Sequence, residues 1–154
     1  MFKKTIVGAA CLVFLLTGFA VVVADEESDV ETTLGNYAAA MESKNMSEIE
    51  KYVVTGEQFS MFEGSHINWG WTDYRDHHLS PELKDFLELQ YGFENIKSHI
   101  SGHFAYATLK YKIHLKMTER EATGEGLATV ILVKQDDGWK IQHIHTSRIP
   151  KQKH

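Results

Sequence analysis

Cysteine is almost absent from this sequence of 154 residues, which contains only Cys11. Cys11 lies in the apolar N-terminal run, so residues 25–154 contain no cysteine and form no disulfide bonds. These 130 residues must therefore fold around an ordinary hydrophobic core, and that length is sufficient to build one.

Basic residues are also in the minority. The chain has 16 lysines and arginines against 21 aspartates and glutamates, a net charge of −5 with neutral histidines. Without Lys3 and Lys4, which belong to the N-terminal segment, the net charge is −7. Because binding to a polyanion requires a basic surface, this composition argues against a nucleic-acid partner.

Long apolar runs are absent except at the N-terminus. Lys3 and Lys4 precede an almost wholly apolar stretch, and Val22-Val23-Ala24 before acidic residues 25–27 resembles a small-residue cleavage site. This pattern predicts a signal peptide over 1–24 and a secreted or periplasmic protein, without stable membrane association after cleavage. An uncleaved membrane anchor is the alternative, because the stretch approaches the length that spans a bilayer. Residues 25–154 contain no repeats and predict a single domain.

Helical spacing dominates the first part of that domain. Ser28-x-x-Glu31 has the form of a capping box, and the apolar spacing that follows predicts a helix over 29–44. Asn45 is expected to end this helix, and a second capping box at Ser47 predicts a short second one. Residues 57–67 alternate loosely and predict a strand or an irregular extended segment.

The run from Asn68 to Tyr91 is also predicted to be largely helical. From residue 68 or 72 onward, Trp71, Tyr74 and His78 share an apolar stripe, with Asp73 beside it. Ser80-Pro81 then predicts a new helix start, and Gly92 its end.

The C-terminal part changes to a period of two and predicts four mostly antiparallel strands. They cover residues 93–100, 103–116, 119–134 and 139–148. In the second strand, His103 and Tyr111 share the face that carries the alanines. In the last strand, alternation places His143 and His145 on the same face as Trp139 and Ile141, which predicts that both imidazoles point inward. Helices followed by a meander of strands predict an α+β fold.

Two segments carry a resemblance to a known family. The closing strand Trp139-Lys140-Ile141-Gln142-His143-Ile144-His145-Thr146-Ser147 and the run from Asn68 to Leu83 resemble the nuclear transport factor 2-like superfamily, in particular its SnoaL-like members. The resemblance covers nearly all of residues 28–148. It implies a cone-shaped barrel, in which a strongly curved, mostly antiparallel sheet wraps around the N-terminal helices. It also implies a cavity at one end and a homodimer formed through the sheet.

The resemblance and the inward-facing residues together predict a histidine-lined pocket for a small apolar molecule. Members of the superfamily include isomerases, cyclases, dehydratases and non-enzymatic binding proteins, so the fold alone does not decide the function. The side chains that permit proton transfer without a cofactor are His78, His143, His145, Tyr74 and Asp73. The side chains expected to contact the ligand are Trp71, Trp69, His103, Tyr111 and Trp139.

Two other functions are left open. One is a non-catalytic protein that captures an apolar ligand. The other is an extracytoplasmic metal-binding protein, because His143 and His145 with His78 and His103 would supply enough imidazoles for zinc or copper if they converged. The histidines are equally compatible with hydrogen-bonded positions at the edge of the core, and we therefore predict no metal site. Glu63 is a weaker candidate for a carboxylate in the pocket.

Overall fold

Helices cover one face of a curved sheet in this protein. A computed structural model describes the backbone of residues 16–150 and the side chains of residues 25–150. The helices are α1 (Leu16–Ser43), α2 (Met46–Ile49) with a 3-10 turn (Glu50–Tyr52), α3 (Trp71–Tyr74) with a π-helical segment (Arg75–Leu79), and α4 (Ser80–Asp85). The strands are β1 (Ser60–Glu63), β2 (His66–Trp69), β3 (Glu88–Ser101), β4 (Phe104–Lys116), β5 (Glu121–Gln135) and β6 (Gly138–Arg148).

The six strands form one mixed sheet in the order β2-β1-β6-β5-β4-β3. Neighbouring strands are antiparallel except β1 and β6, which run parallel. The predicted α+β fold with a mostly antiparallel sheet is therefore confirmed. The sheet is not closed: β2 and β3 form its two edges, as in an open, cone-like curved sheet.

The core lies between α1 and the inner face of the sheet. Val30, Leu34, Tyr37 and Met41 follow helical spacing along α1 and are all buried. They belong to one apolar cluster with alternate residues of the strands, among them the small Ala105, Ala107 and Ala128. Small side chains at these strand positions leave space for the helix to pack against the sheet.

The ends of the first helices differ from the prediction. Helix α1 begins before Ser28, so the predicted capping box lies within the helix and does not start it. Lys44, in the left-handed conformation with φ of 54°, follows its last residue. Asn45 caps α2 at its N-terminus, because its side-chain oxygen accepts a hydrogen bond from the Ser47 N–H at 3.0 Å.

The predicted helix over 80–91 is correct only in its first half. Helix α4 ends at Asp85, and the chain enters β3 at Glu88. Leu89 pairs with Leu115 of β4, and Tyr91 pairs with Ile113. The spacing of the apolar residues between 83 and 91 is compatible with both a helix and a strand. Hydrogen bonding to β4 makes the segment from Glu88 onward a strand.

An extra residue in β6 changes which of its side chains face inward. Ile131 of β5 pairs with His143, whereas the next residue, Leu132, pairs with Ile141, so Gln142 is a β-bulge. Trp139 and Ile141 before the bulge are buried, and so are Ile144 and Thr146 after it. His143 and His145 therefore lie on the outer face, and the prediction that they point inward is wrong. His145 is exposed and His143 is half-buried.

The predicted signal peptide over 1–24 lies in the part of the chain whose side chains are not described, so it stays a prediction. Among residues 16–150, no helix combines the length and the apolar character needed to cross a bilayer.

Candidate functional site

A cavity of about 290 Å³ lies between α1, the helical run after β2 and the inner face of the sheet. Much of its wall is apolar, with Met41, Leu79 and Leu115 among its residues. The wall also contains polar residues of three kinds. They are four tyrosines (Tyr37, Tyr74, Tyr91 and Tyr111), four charged residues (Glu63, Glu82, Arg120 and Arg148) and two threonines (Thr123 and Thr146). An apolar cavity with a few polar groups is the usual form of a small-molecule site.

The four tyrosines keep their protons at neutral pH. Burial is the main cause that raises the pKa of each hydroxyl, and the negative charge of Glu63 raises all four further. At Tyr37, the interaction with the Tyr74 side chain lowers the pKa and partly opposes the effect of burial. The cavity therefore presents neutral hydroxyl groups that can donate hydrogen bonds to a ligand oxygen.

Glu63 is the acidic residue on the sheet side of the cavity. It ends β1, immediately before the turn at Gly64 that leads into β2, and it pairs with Thr146 of β6. About half of its side chain, 52%, is exposed. The rest is surrounded closely enough that burial raises the pKa of its carboxyl group, with a further rise from Glu82 and opposite effects from His78 and His66. A carboxylate with a raised pKa is a stronger base.

His78 lies beside Glu63, and its orientation is fixed by hydrogen bonds. The Asn68 amide donates from Nδ2 to Asp73 Oδ2 at 2.9 Å, so its Oδ1 is left to accept from His78 Nδ1–H at 2.8 Å. His78 Nε2 therefore points to the carboxylates, 3.5 Å from Glu82 Oε1 and 3.7 Å from Glu63 Oε2. Only 12% of the imidazole side chain is exposed.

The carboxylates around His78 favour its protonated form. Its contact with Glu82 raises the pKa of His78, burial opposes this, and the charges of Glu82, Glu63 and Asp73 raise it further. The ring also packs edge-on against Tyr74, with the ring centroids 5.2 Å apart. A histidine with a raised pKa, which can hold and donate a proton, thus lies beside Glu63.

The structure brings some of the predicted site residues together. Tyr74 and Tyr111 line the cavity, and His78 lies next to its two glutamates. Asp73 is linked to His78 through Asn68, which is hydrogen-bonded to both side chains. Asp73 also pairs with His77 at 3.0 Å. Of these four residues, Tyr74 and Tyr111 thus lie on the cavity wall, whereas His78 and Asp73 lie outside it.

The other predicted residues lie elsewhere. Trp71 is buried in the core, where its Nε1–H donates to Glu50 at 2.9 Å, and Trp139 is buried outside the cavity wall. Trp69 is 67% exposed on the outer face of the sheet. His103 is exposed in the turn between β3 and β4. β4 begins only at Phe104, so the alternation of the strand does not extend to His103.

The histidine cluster considered for a metal does not form. His143 and His145 lie on the outer face with their ring centroids 6.5 Å apart, and His143 Nδ1 is hydrogen-bonded to Ser60 Oγ at 2.8 Å. Within residues 16–150, no group of three or more histidine, cysteine, aspartate or glutamate side chains is arranged to hold a metal ion.

Several residues of the site were not predicted from the sequence. Glu82 is four residues after His78, a helical spacing that identifies it as a neighbour of the imidazole. Tyr37 was recognisable as an inward residue of the first helix, but not as a cavity residue. Tyr91 was assigned to a helix, and Arg148 was assigned no role, because neither the β3 boundary nor the bulge at Gln142 has a clear sequence signal.

The sequence and the fold have relatives. Residues 30–152 match the family model described as "SnoaL-like domain". A nuclear transport factor 2-like superfamily protein from Salmonella enterica superimposes with a TM-score of 0.77 at 13% identity, covering 85% of this chain and 96% of that one. No curated protein sequence matches the chain significantly.

Two further solved structures have the same fold. One is a "putative dehydratase" from Streptomyces avermitilis, with a TM-score of 0.74 and 16% identity over 84% of this chain and 99% of that chain. The other is a "putative scytalone dehydratase" from Novosphingobium aromaticivorans, with a TM-score of 0.74 and 17% identity over 87% and 89%. At these identities the similarity establishes the nuclear transport factor 2-like fold.

Proposed function

Because the chain belongs to the SnoaL-like domain family, we propose that it binds a small, largely apolar molecule in the cavity and moves a proton on it without a cofactor. The observation that supports this most directly is the position of Glu63. Its carboxylate has a raised pKa, contacts His78, and lies on the wall of a cavity that contains four neutral tyrosine hydroxyls. The Streptomyces and Novosphingobium relatives named as dehydratases lend support, since dehydration includes a proton transfer.

The chemistry follows from these groups. The Glu63 carboxylate takes a proton from a carbon next to a carbonyl group, and the electron pair moves onto the carbonyl oxygen. Tyrosine hydroxyls stabilise the resulting enolate by donating hydrogen bonds to that oxygen. Glu63 returns the proton to a second carbon in an isomerisation. In a dehydration, a hydroxyl group leaves with a proton that passes from His78 to Glu82, 3.5 Å away on the cavity wall, and from Glu82 to the leaving oxygen.

Hydrogen–deuterium exchange tests this proposal without knowledge of the natural substrate. We expect the protein in D₂O to accelerate exchange of the α-protons of 2-tetralone, followed by proton NMR. Glu63→Gln keeps the shape of the side chain and removes the base, so the rate should fall by about 10²–10⁴-fold. Glu88→Gln is the matched control, because Glu88 pairs with Lys116 at the edge strand β3, outside the cavity wall.

Two results would contradict the catalytic proposal. One is exchange that is no faster with the protein than in buffer. The other is a Glu63→Gln variant that is as active as the Glu88→Gln control. If 2-tetralone binds without exchange, the protein is a non-catalytic ligand-binding protein.

We also propose that the protein is exported from the cytoplasm and that it forms a homodimer. The composition of residues 1–24 supports export. The outer face of the sheet supports self-association, because it carries exposed apolar side chains that include Trp69, Phe104 and Leu127. Mass spectrometry of the exported protein should show the loss of residues 1–24, and light scattering should give twice the mass of one chain. A retained N-terminus or a monomeric mass would contradict these two proposals respectively.

A further inference from the structure

Arg148 is the cationic residue at the last inner position of β6. The bulge at Gln142 places it on the same face as Ile144 and Thr146. It lines the cavity and also a larger groove of about 770 Å³ that adjoins it. The two spaces share Tyr91, Ile113, Thr123 and Gly124 in addition to Arg148. A ligand that entered the cavity from this groove would pass the guanidinium group.

The other charged groups of the groove already have partners in the protein. These contacts are Glu125 with Lys110 at 2.8 Å, Lys112 with Glu94 at 2.7 Å, His114 with Glu121 at 2.7 Å, and Glu42 with the Tyr91 N–H at 2.8 Å. Within the described part of the chain, Arg148 forms no ion pair. Its five N–H donors are thus available to an anion from outside the protein.

The neighbouring strand leaves space for such an anion. β5 has Gly124 and Gly126 beside Arg148, and neither position carries a side chain that could cover the guanidinium group. A Cβ atom at Gly124 would lie 3.8 Å from Arg148 Nη2, and one at Gly126 would lie 2.5 Å from the Tyr111 ring. Burial is the main cause that raises the pKa of the Tyr111 hydroxyl, and two opposite charges act on it as smaller effects: Glu63 raises the pKa and Arg148 lowers it.

We propose that Arg148 binds a carboxylate group of the ligand, so that the substrate class of this site is amphipathic carboxylic acids. This inference rests on the proposed function for the identity of the site. A guanidinium group binds a carboxylate through two parallel hydrogen bonds, which fixes both position and direction. Glu63 and Glu82 on the other part of the wall repel an anion. The ligand therefore binds in one direction, with its acid group at Arg148 and its apolar end toward Glu63.

The net negative charge of the chain does not favour the binding of anions in general. With a net charge of −5, the protein as a whole repels anions, so a preference for a carboxylate must come from a local cation. The preference should also weaken at high salt, because Arg148 is exposed to the groove.

Isothermal titration of two probes of equal shape tests the assignment. The probes are 4-phenylbutyrate and its neutral amide, 4-phenylbutyramide, titrated into the mature protein at about pH 8 and low salt. We expect the wild type to bind the carboxylate roughly tenfold or more tightly than the amide. Arg148→Ala should bind the two probes equally. Arg148→Lys should retain part of the preference, because it keeps the charge and loses the planar fork.

Lys116→Ala is the matched control. It removes one positive charge, as Arg148→Ala does, but from an exposed residue outside the cavity and the groove. It should bind both probes as the wild type does. Unfolding curves of all variants show whether the fold is intact. If Arg148→Ala fails to fold, the reduced carboxylate preference of Arg148→Lys tests the assignment instead.

Three results would overturn the assignment: a wild type that binds the two probes equally, an Arg148→Ala variant that still prefers the carboxylate, or a wild type that binds neither. Glu63→Gln separates this inference from the catalytic proposal. That variant should lose exchange with 2-tetralone and still prefer phenylbutyrate at least as strongly as the wild type does, because it removes a negative charge from the cavity wall. A protein that prefers the carboxylate but catalyses no exchange would support Arg148 as the anion site and contradict catalysis.

Discussion

Replacing Gly126 with alanine should destabilise the protein, and the structure gives the size of the effect. Gly126 lies in β5 between Tyr111 of β4 and Arg148 of β6. A Cβ atom there would lie 2.5 Å from Tyr111 Cε1 and 2.6 Å from Cζ, and it would also press on the Ser147 carbonyl oxygen. Real Cβ atoms essentially never approach other heavy atoms within 3.0 Å, so the ring or the backbone must move.

Overpacking of this kind typically costs about 1–3 kcal/mol. We expect the upper part of that range, because Ser147 is held in the ladder by its pairing with Leu127. Alanine in a strand recovers roughly 0.5–1 kcal/mol of the entropy that glycine loses on folding. The net loss is therefore about 1–2.5 kcal/mol. With a urea m-value of about 1–3 kcal/mol per molar, the unfolding midpoint should fall by roughly 1 M.

Gly124→Ala is the control for this prediction. Its Cβ atom would lie 3.3 Å from the Ile113 Cγ2 methyl group, which can shift, and its three nearest neighbours are all side-chain atoms. The steric cost and the entropic gain should roughly cancel, so we expect a urea midpoint close to the wild-type value. If the two variants were equally stable, the close approach of Tyr111 and Ser147 to Gly126 would be wrong.

Three further predictions concern the core and two histidines. Phe59→Ala should lower the free energy of unfolding by about 3–5 kcal/mol, because Phe59 is fully buried with its ring 5.2 Å from Trp71; a urea midpoint shift typical of a surface substitution would contradict this. His78 should titrate above about 6.5 in NMR, so the stability that it contributes is complete below that pH and is lost as the pH rises through its folded-state pKa. His78→Asn should flatten this part of the pH profile. His143 should titrate below 6.5, because burial and, to a smaller extent, His145 lower its pKa. The free energy of unfolding should therefore fall as the pH drops from 6.5 toward the folded-state pKa of His143. His143→Asn should remove this pH dependence.

Much of the sheet could be predicted from the sequence because its strands keep a regular alternation. In β4, Ala105, Ala107 and Leu109 are buried, and the residues between them are exposed or half-buried, as their period of two indicates. The inner stripe of α1 was equally readable from its helical spacing. The end of α4 was not readable, because Leu83, Phe86 and Tyr91 fit helical spacing even though Tyr91 lies in a strand.

The site was predictable only where its residues lie on regular segments. Tyr74 and His78 follow from helical spacing, and Tyr111 follows from alternation in β4. His143 and His145 were assigned to the wrong face because a β-bulge reverses alternation for every residue after it, and one sequence does not reveal the bulge. Glu63 of β1 and Glu82 of α4 come together around His78, which contacts both, and the contact of His78 with Glu63 cannot be deduced from local spacing.

Two local irregularities, the bulge at Gln142 and the π-helical segment Arg75–Leu79, each correspond to one extra residue in a regular element. The first places Arg148 on the inner face of the sheet, and the second contains His78, which contacts Glu63. The loss of one codon at either place would therefore rearrange the charged groups of the cavity more than most point substitutions could. Relatives that differ by such a deletion should keep the same fold and bind ligands of a different chemical class.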